Sequence, residues 1–516
     1  LLLAWFLFMR SVGRSVQRTR GEIVIGSAWA RRTCTIVLLL TEILPESPSG
    51  TNQITLLLSA AIAALVGMKN GFSWQEIESG IIETIKVSLQ AILILLVVGA
   101  LIGAWILSGT VPSMIYYGVE LMSPDYFYFT ACLVCALLGF CIGSSWTVAG
   151  TLGIGLIGIA AALDLSLAIS AGAIISGAYF GDKLSPLSET TNLAASLTNN
   201  NVFVHIQHML WTTVPAIVIT LTLFFFLGIG SSANVIPENI AELQKAMRQT
   251  FYISPLMLGP LLLLLTMAVK KSPALPTLVC GTLVGCIFAI IFQWDSVITL
   301  AGDSNFHPEL VGGMRGVGLE ITAMTGLLSF LAGVKGLLIA MASGYSVVTD
   351  NPSLDTLLSK GGVNSMLGTI GLVICALSFG GTMARTGLLK KLVETMLSRV
   401  KSAGGLISAT VGTCIGTNVL AADQYLSIVL PGQMFVEPYK DQKLKSINLS
   451  RTLEDSGTLT SALVPWNTCG AYMTGTLGVS TFAYAPFAFF NILCPIIAII
   501  YGFSLIAVPS IDEEKV

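Results

Sequence analysis

The chain has 516 residues, of which 10% are charged, 26 Lys and Arg against 28 Asp and Glu, where soluble domains carry about 25%. Hydrophobic residues make up 54%, mean hydropathy is +0.82 and there are 51 glycines, a composition that fits membrane helices packed through small residues. The net charge of -2, thinly spread, offers no basic face and excludes a nucleic-acid partner.

Residues 1–50 differ from the rest. They carry Arg10, Arg14, Arg18, Arg20, Arg31 and Arg32, and their main apolar stretch runs only from Cys34 to Leu44. That is about 16 Å of helix against a hydrocarbon core of roughly 30 Å. The segment reads as atypical and incomplete, as if a first span were missing before Gly50. Apolar spans then follow at 52–68, 88–108, 203–228, 252–269, 275–293, 325–341, 363–385 and 483–508.

Most of the ten cysteines lie inside apolar runs, and Cys132 and Cys135 read as helix packing rather than metal or redox groups. His205 and His208 are three apart with no third ligand nearby, which suits an interfacial or pH-sensing role better than a metal. Lys335, inside a span, reads as snorkelling or paired.

Displacing the sequence by 273 positions brings 52–68 onto 325–341, 88–108 onto 361–381 and 203–228 onto 476–501. At that offset Gly139-Phe-Cys-Ile-Gly-Ser144 meets Gly412-Thr-Cys-Ile-Gly-Thr417, the amphipathic stretch 74–86 meets 347–359, and Asp182 meets Asp455. Arg385, Lys390, Lys391, Arg399 and Lys401 crowd 385–401, whereas the counterpart 112–128 has no basic residue. By the positive-inside rule these loops face opposite sides, so the repeats are expected to be inverted, a common build of secondary transporters. The span count requires one further crossing, placed between 294 and 324. The chain thus reads as an all-α polytopic membrane protein: inverted repeats at 52–229 and 325–508, linker spans at 230–324 and a tail at 509–516.

Between two basic loops lie the 33 residues 403–435, about 50 Å of helix and too short for two crossings with a turn. They are expected to form a re-entrant hairpin with Thr417, Asn418, Asp423 and Gln424 near its tip. Its partner at 129–163 has Ser144, Ser145 and Thr147 at the matching place. After each hairpin comes a helix broken by a polar cluster, Gly177-Ala-Tyr-Phe-Gly-Asp-Lys-Leu-Ser-Pro-Leu-Ser-Glu-Thr-Thr-Asn192 and Leu453-Glu-Asp-Ser-Gly-Thr-Leu-Thr-Ser-Ala-Leu-Val-Pro-Trp-Asn-Thr468. The first half-helix is expected to end at residue 180, Ser185 to cap the following one, and Pro186 and Pro465 to open the second halves.

A carboxylate at mid-bilayer costs roughly 2.5 to 3.5 kcal/mol, so these acids need a compensating ligand. Na⁺ prefers oxygen donors, and the candidate ion ligands are Asp182, Ser185, Ser188, Glu189, Thr190, Asn192, Asp423, Asp455, Asn467 and Thr468, with Ser144, Ser145, Thr147, Thr417 and Asn418 at the hairpin tips. Asp182 and Asp455, coincident at the repeat offset, are expected to matter most, and Glu454 least. Basic residues beside the clusters are scarce, Lys183 and Arg451 only, which favours a cation over a large organic anion. A channel is disfavoured because the polar residues gather into two clusters rather than a continuous path, and an intramembrane enzyme because no nucleophile with a nearby base is seen.

These motifs, with Asp423-Gln-Tyr-Leu-Ser-Ile-Val-Leu-Pro-Gly432, Asn448-Leu-Ser-Arg-Thr-Leu-Glu-Asp-Ser-Gly-Thr458 and Pro465-Trp-Asn-Thr-Cys-Gly470, resemble the NhaC-type Na⁺/H⁺ antiporter family over about residues 50–508. The resemblance implies two inverted repeats with paired hairpins, an elevator-like movement of the substrate domain, a bacterial-type inner membrane and Na⁺ efflux driven by H⁺ entry. Some relatives exchange malate and protons for lactate and Na⁺, and the motifs do not separate the two activities. The expected partners are the lipid bilayer, Na⁺ and H⁺, with malate or lactate as the alternative and a homodimer as a further expectation. No cofactor is expected.

Overall fold

The computed structural model describes residues 51–231, 237–270, 272–302, 321–347, 354–355, 358–389, 391, 400 and 402–511. The expectations for 1–50, for 303–320 within the extra crossing, for most of the counterpart 347–359 and for part of the basic loop 385–401 lie outside these residues. Helices dominate what is described, with only two isolated β-bridges beside them.

The first half opens with α1 (Thr51–Lys69), α2 (Trp74–Val87), α3 (Leu89–Leu107) and α4 (Thr110–Leu121). α2 is amphipathic and starts at a capping box, Ser73 accepting from the Glu76 amide while Glu76 accepts from Ser73, which satisfies two otherwise orphaned donors. There follow α5 (Phe127–Ile142), α6 (Ser145–Ala162), α7 (Leu167–Leu184), α8 (Glu189–Leu197) and α9 (Val202–Gly228). The linker holds α10 (Pro237–Thr250), α11 (Gly259–Val269), α12 (Ala274–Phe292) and α13 (Trp294–Leu300). The second half has α14 (Ile321–Ser343), α15 (Val363–Arg385), α16 (Ala403–Leu420), α17 (Gln424–Asp441), α18 (Ser446–Leu453), α19 (Thr468–Leu477), α20 (Thr481–Tyr484) and α21 (Phe489–Ser504). By length and composition seven described helices can cross a membrane, or up to nine if each bent pair is one span. The chain is a multi-pass membrane protein.

The apolar stretches marked in the sequence are largely helical here, although 252–254 are not and 483–508 bends by 56° at Ala488, and each polar interruption is a break. α5 and α6 part at Gly143, α16 and α17 at Ala421 to Asp423. Gly143 and Ala422 both take left-handed backbone, with φ of 72° and 57°, which lets a helix stop within one residue. The second tip therefore lies beyond Thr417 and Asn418, which belong to the last turn of α16. α7 runs four residues further than expected, to Leu184, because Ser185 ends it and Ser188, not Ser185, caps α8 by accepting from the Thr191 amide. Pro186 and Pro465 sit in the turns before α8 and α19 rather than opening them, and Asn467 caps α19.

The backbone landmarks of the two halves repeat at one spacing. Gly143 and Ala422, the caps Ser144 and Asp423, the helix starts Leu167 and Ser446, the caps Ser188 and Asn467, and the caps Asn201 and Ser480 are each 279 positions apart. The 273 offset thus misaligns this region: Asp182 corresponds to Ser461, and Asp455 to Ser176. The motif match that suggested 273 thus joins places that are not equivalent in the two hairpins.

α7 lies against α5 with almost no gap. A Cβ on Gly177 or Gly181 would collide with the carbonyl oxygens of Cys132 and Ala136, so Gly is what lets these two backbones touch, as in other small-residue membrane interfaces. This contact fixes the end of α7, and with it Asp182, beside the first hairpin tip.

Candidate functional site

A cavity of about 510 Å³ opens where the two tips and the first break converge. Ser144, Ser145, Trp146 and Thr147 come from the first tip, Asp423, Gln424 and Tyr425 from the second, Asp182, Ser188, Glu189 and Thr190 from the first broken helix, and Thr468 from the second. The α2–α3 junction adds Ser88, and linker residues including Ser272 and Thr277 close one wall.

Each acid is held in place. Ser145 donates to Asp182 Oδ2 twice, from its amide at 3.0 Å and its hydroxyl at 2.7 Å. Asp423 accepts from the Leu426 amide at 3.0 Å as the cap of α17, and from Ser88 Oγ at 2.6 Å. The Tyr425 hydroxyl donates to Glu189 Oε2 at 2.6 Å. Asp182 and Asp423 are buried while Glu189 is exposed. Among the described residues, no Lys or Arg lines this cavity. Three carboxylates with hydroxyls around them and no basic residue make a candidate cation site built of hard oxygen donors.

Asp455 lies elsewhere. It forms a fully buried ion pair with Lys183 Nζ and also accepts from Thr212 Oγ1 at 2.9 Å. Its neighbour Glu454, expected to matter least, is fully buried in a π-helical turn, Glu454–Thr458, and accepts at 2.9 Å from Thr190, a cavity residue. Arg451, the other base near the clusters, is buried and donates to the Ala507 carbonyl. His205 is fully buried with neither ring nitrogen bonded. Lys335 is exposed on α14.

The structure thus gathers Asp182, Ser188, Glu189, Thr190, Asp423, Thr468, Ser144, Ser145 and Thr147 around one cavity. Ser185, Asn192, Asp455, Asn467, Thr417 and Asn418 fall outside its lining. Asn418 and Asn467 serve instead to tie the second tip to the second break: Asn467 Nδ2 donates to Asn418 Oδ1 at 3.0 Å, and Asn418 Nδ2 to the Gly457 carbonyl at 2.8 Å. Asn192 binds backbone carbonyls of the first break. Sequence reasoning missed Ser88 and Tyr425. Tyr425 is two residues past Asp423, a signal that was present, whereas Ser88 closes an amphipathic helix and nothing in its spacing points to Asp423. Among the described residues no cluster of three His, Cys, Asp or Glu has the arrangement of a metal centre.

Apolar helices interrupted at polar breaks that carry carboxylates are the build of an ion-coupled secondary transporter. The comparisons agree. The chain matches the Na⁺/H⁺ antiporter family over residues 177–315 and 306–505. It is 37% identical to the Na⁺/H⁺ antiporter NhaC of Alkalihalophilus pseudofirmus over 87% of this chain and 90% of that protein. It is 36% identical to NhaC of Bacillus subtilis over 87% and 92%, and 37% identical to the malate-2H⁺/Na⁺-lactate antiporter of B. subtilis over 88% and 89%. The chain belongs to the Na⁺/H⁺ antiporter family.

Proposed function

We propose that the chain exchanges Na⁺ for H⁺ across the cell membrane, with the ion held in the cavity between the two hairpin tips and the first break. The observation that carries this is the lining: Asp182, Glu189 and Asp423 around one space with no described base. The two buried acids, Asp182 and Asp423, demand compensation, which either Na⁺ or protons supply. Occupancy by one excludes the other, because protonating a carboxylate removes the charge that attracts Na⁺ and bound Na⁺ disfavours the proton. Only a compensated site crosses the apolar barrier, and this coupling gives exchange without leak.

Proteoliposomes loaded with a pH dye test this. A Na⁺ gradient alone is expected to move protons. Proton movement that starts only when malate or lactate is added would contradict plain Na⁺/H⁺ exchange and favour the malate-2H⁺/Na⁺-lactate reaction, whose B. subtilis relative is as similar as the A. pseudofirmus NhaC.

The 279-residue recurrence of caps and breaks supports two repeats, 52–229 and 325–508, and the basic loop after α15 supports opposite orientations. Single cysteines placed at Tyr117 and Lys391 in a background free of other thiols are expected to react with an impermeant reagent from opposite sides. Reaction from one side only would exclude the inversion.

A further inference from the structure

Four hydroxyls that line the ion cavity each spend their single proton on a carboxyl group. Ser145 donates to Asp182, Ser88 to Asp423 and Tyr425 to Glu189, and each of these acids is itself part of the lining. The fourth, Thr190, donates at 2.9 Å to Glu454 Oε1, and Glu454 lies outside the lining. A hydroxyl has one proton and two lone pairs, so a hydroxyl committed in this way turns only lone pairs to the cavity. Lone pairs suit a hard cation.

The place of Glu454 is fixed from behind. It opens the π-helical turn Glu454–Thr458, and turns of this kind are frequent at functional sites. The Gly457 carbonyl in that turn accepts from Asn418 Nδ2 at 2.8 Å and from Ser427 Oγ at 3.0 Å, which pins the turn to the two helices that flank the second tip. Glu454 is fully buried, and its Oε2 has no hydrogen-bond partner among the described residues. A buried carboxyl with one oxygen unpaired costs stability, and neither neighbouring base is bonded to it. Lys183 is taken by Asp455, and Arg451 donates to the Ala507 carbonyl. The bond from Thr190 spans 264 positions of chain and joins the second broken helix to the first. With the Thr190 proton on Glu454, Ser188 is the donor in its 3.1 Å contact with Thr190, and one lone pair of Thr190 is left for an ion.

We propose that Glu454, the acid expected to matter least, is a positioning residue for Na⁺. By holding the Thr190 proton away from the cavity it makes the Thr190 oxygen a ligand and sets the affinity of the site for the cation. Glu454 itself touches no ion. The role rests on the Na⁺/H⁺ exchange proposed for this cavity.

Calorimetric titration of Na⁺ into the purified full chain at fixed pH, run as a double-substitution cycle, tests it. Glu454→Met removes the acceptor and lets the Thr190 hydroxyl turn its proton inward, and Na⁺ binding is expected to weaken tenfold or more. In a Thr190→Val background there is no hydroxyl to orient, and the same substitution is expected to change Na⁺ affinity less than twofold. A loss of packing alone would weaken binding equally in both backgrounds. Glu454→Gln, whose amide oxygen still accepts, is expected to stay within threefold of the unmodified chain. If Glu454→Met does not fold, Glu454→Asp takes its place: it keeps the carboxyl but draws it back by one methylene, and is expected to weaken Na⁺ binding at least threefold, again only where Thr190 is present. Undiminished Na⁺ affinity in Glu454→Met, or in Glu454→Asp where it stands in, would overturn the role of Glu454 and leave the ion site standing. Equal losses with and without the Thr190 hydroxyl would do the same. An unmodified chain that binds no Na⁺ would overturn the ion site and this role together.

Discussion

Replacing Asp182 by Asn is expected to reduce Na⁺-driven proton movement in proteoliposomes by about a hundredfold or more, with the protein still inserting and purifying normally. The side chain keeps its shape and can still accept from the Ser145 amide and hydroxyl, so the loss reports the charge. A factor of a hundred corresponds to about 2.7 kcal/mol, comparable to the roughly 2.5 to 3.5 kcal/mol that a carboxylate costs at mid-bilayer unless an ion compensates it. Asp423→Asn makes a second, independent case. Asn caps helices as well as Asp does, so the amide of Leu426 keeps its acceptor and α17 stays in place, yet exchange is expected to fall at least tenfold. Glu189 is exposed and held by Tyr425, and Glu189→Gln is expected to cost less than either aspartate. Exchange at the original rate in both Asn variants would move the ion away from this cavity.

Asp455 is expected to behave in the opposite way from a transport ligand. Its pairing with Lys183 is fully buried, and removing one member of such a pair leaves an uncompensated charge that costs about 3 to 5 kcal/mol. Lys183→Met and Asp455→Asn alone should therefore lower the thermal stability and the folded yield sharply. Removing both charges eliminates the stranded one, and the amide oxygen introduced by Asp455→Asn still accepts from Thr212. The double variant is expected to regain most of the lost stability and, because neither residue lines the cavity, to exchange Na⁺ for H⁺. A double variant that folds but does not bind Na⁺ would make Asp455 an ion ligand after all.

Much of this was legible in the chain. Apolar runs of helical length stood out, and the polar clusters at 177–192 and 453–468 marked the breaks because Gly, Ser, Asn and Pro compete with helical backbone. What pattern reading missed was depth along a helix. Asp182 and Asp455 looked equivalent in a composition rich in Gly, Ser and Thr, but the caps show a 279-residue spacing, six residues or about 9 Å of helix away from the apparent one. That difference places Asp182 at the end of α7, facing the cavity, and Asp455 within a π-helical turn facing Lys183. Hairpin length and the 273 offset both point to Thr417 and Asn418 as the second tip, whereas left-handed Ala422 sets the actual turn. Ser88 could not be anticipated, since its contact with Asp423 joins residues 335 positions apart.

Calorimetric titration of Na⁺ into the purified protein at fixed pH tests the placement of the ion most directly. Saturable binding is predicted for the unmodified chain and for the Lys183→Met, Asp455→Asn double variant, and its loss for Asp182→Asn. Unchanged Na⁺ affinity in a folded Asp182→Asn protein would contradict the assignment of the cavity as the ion site.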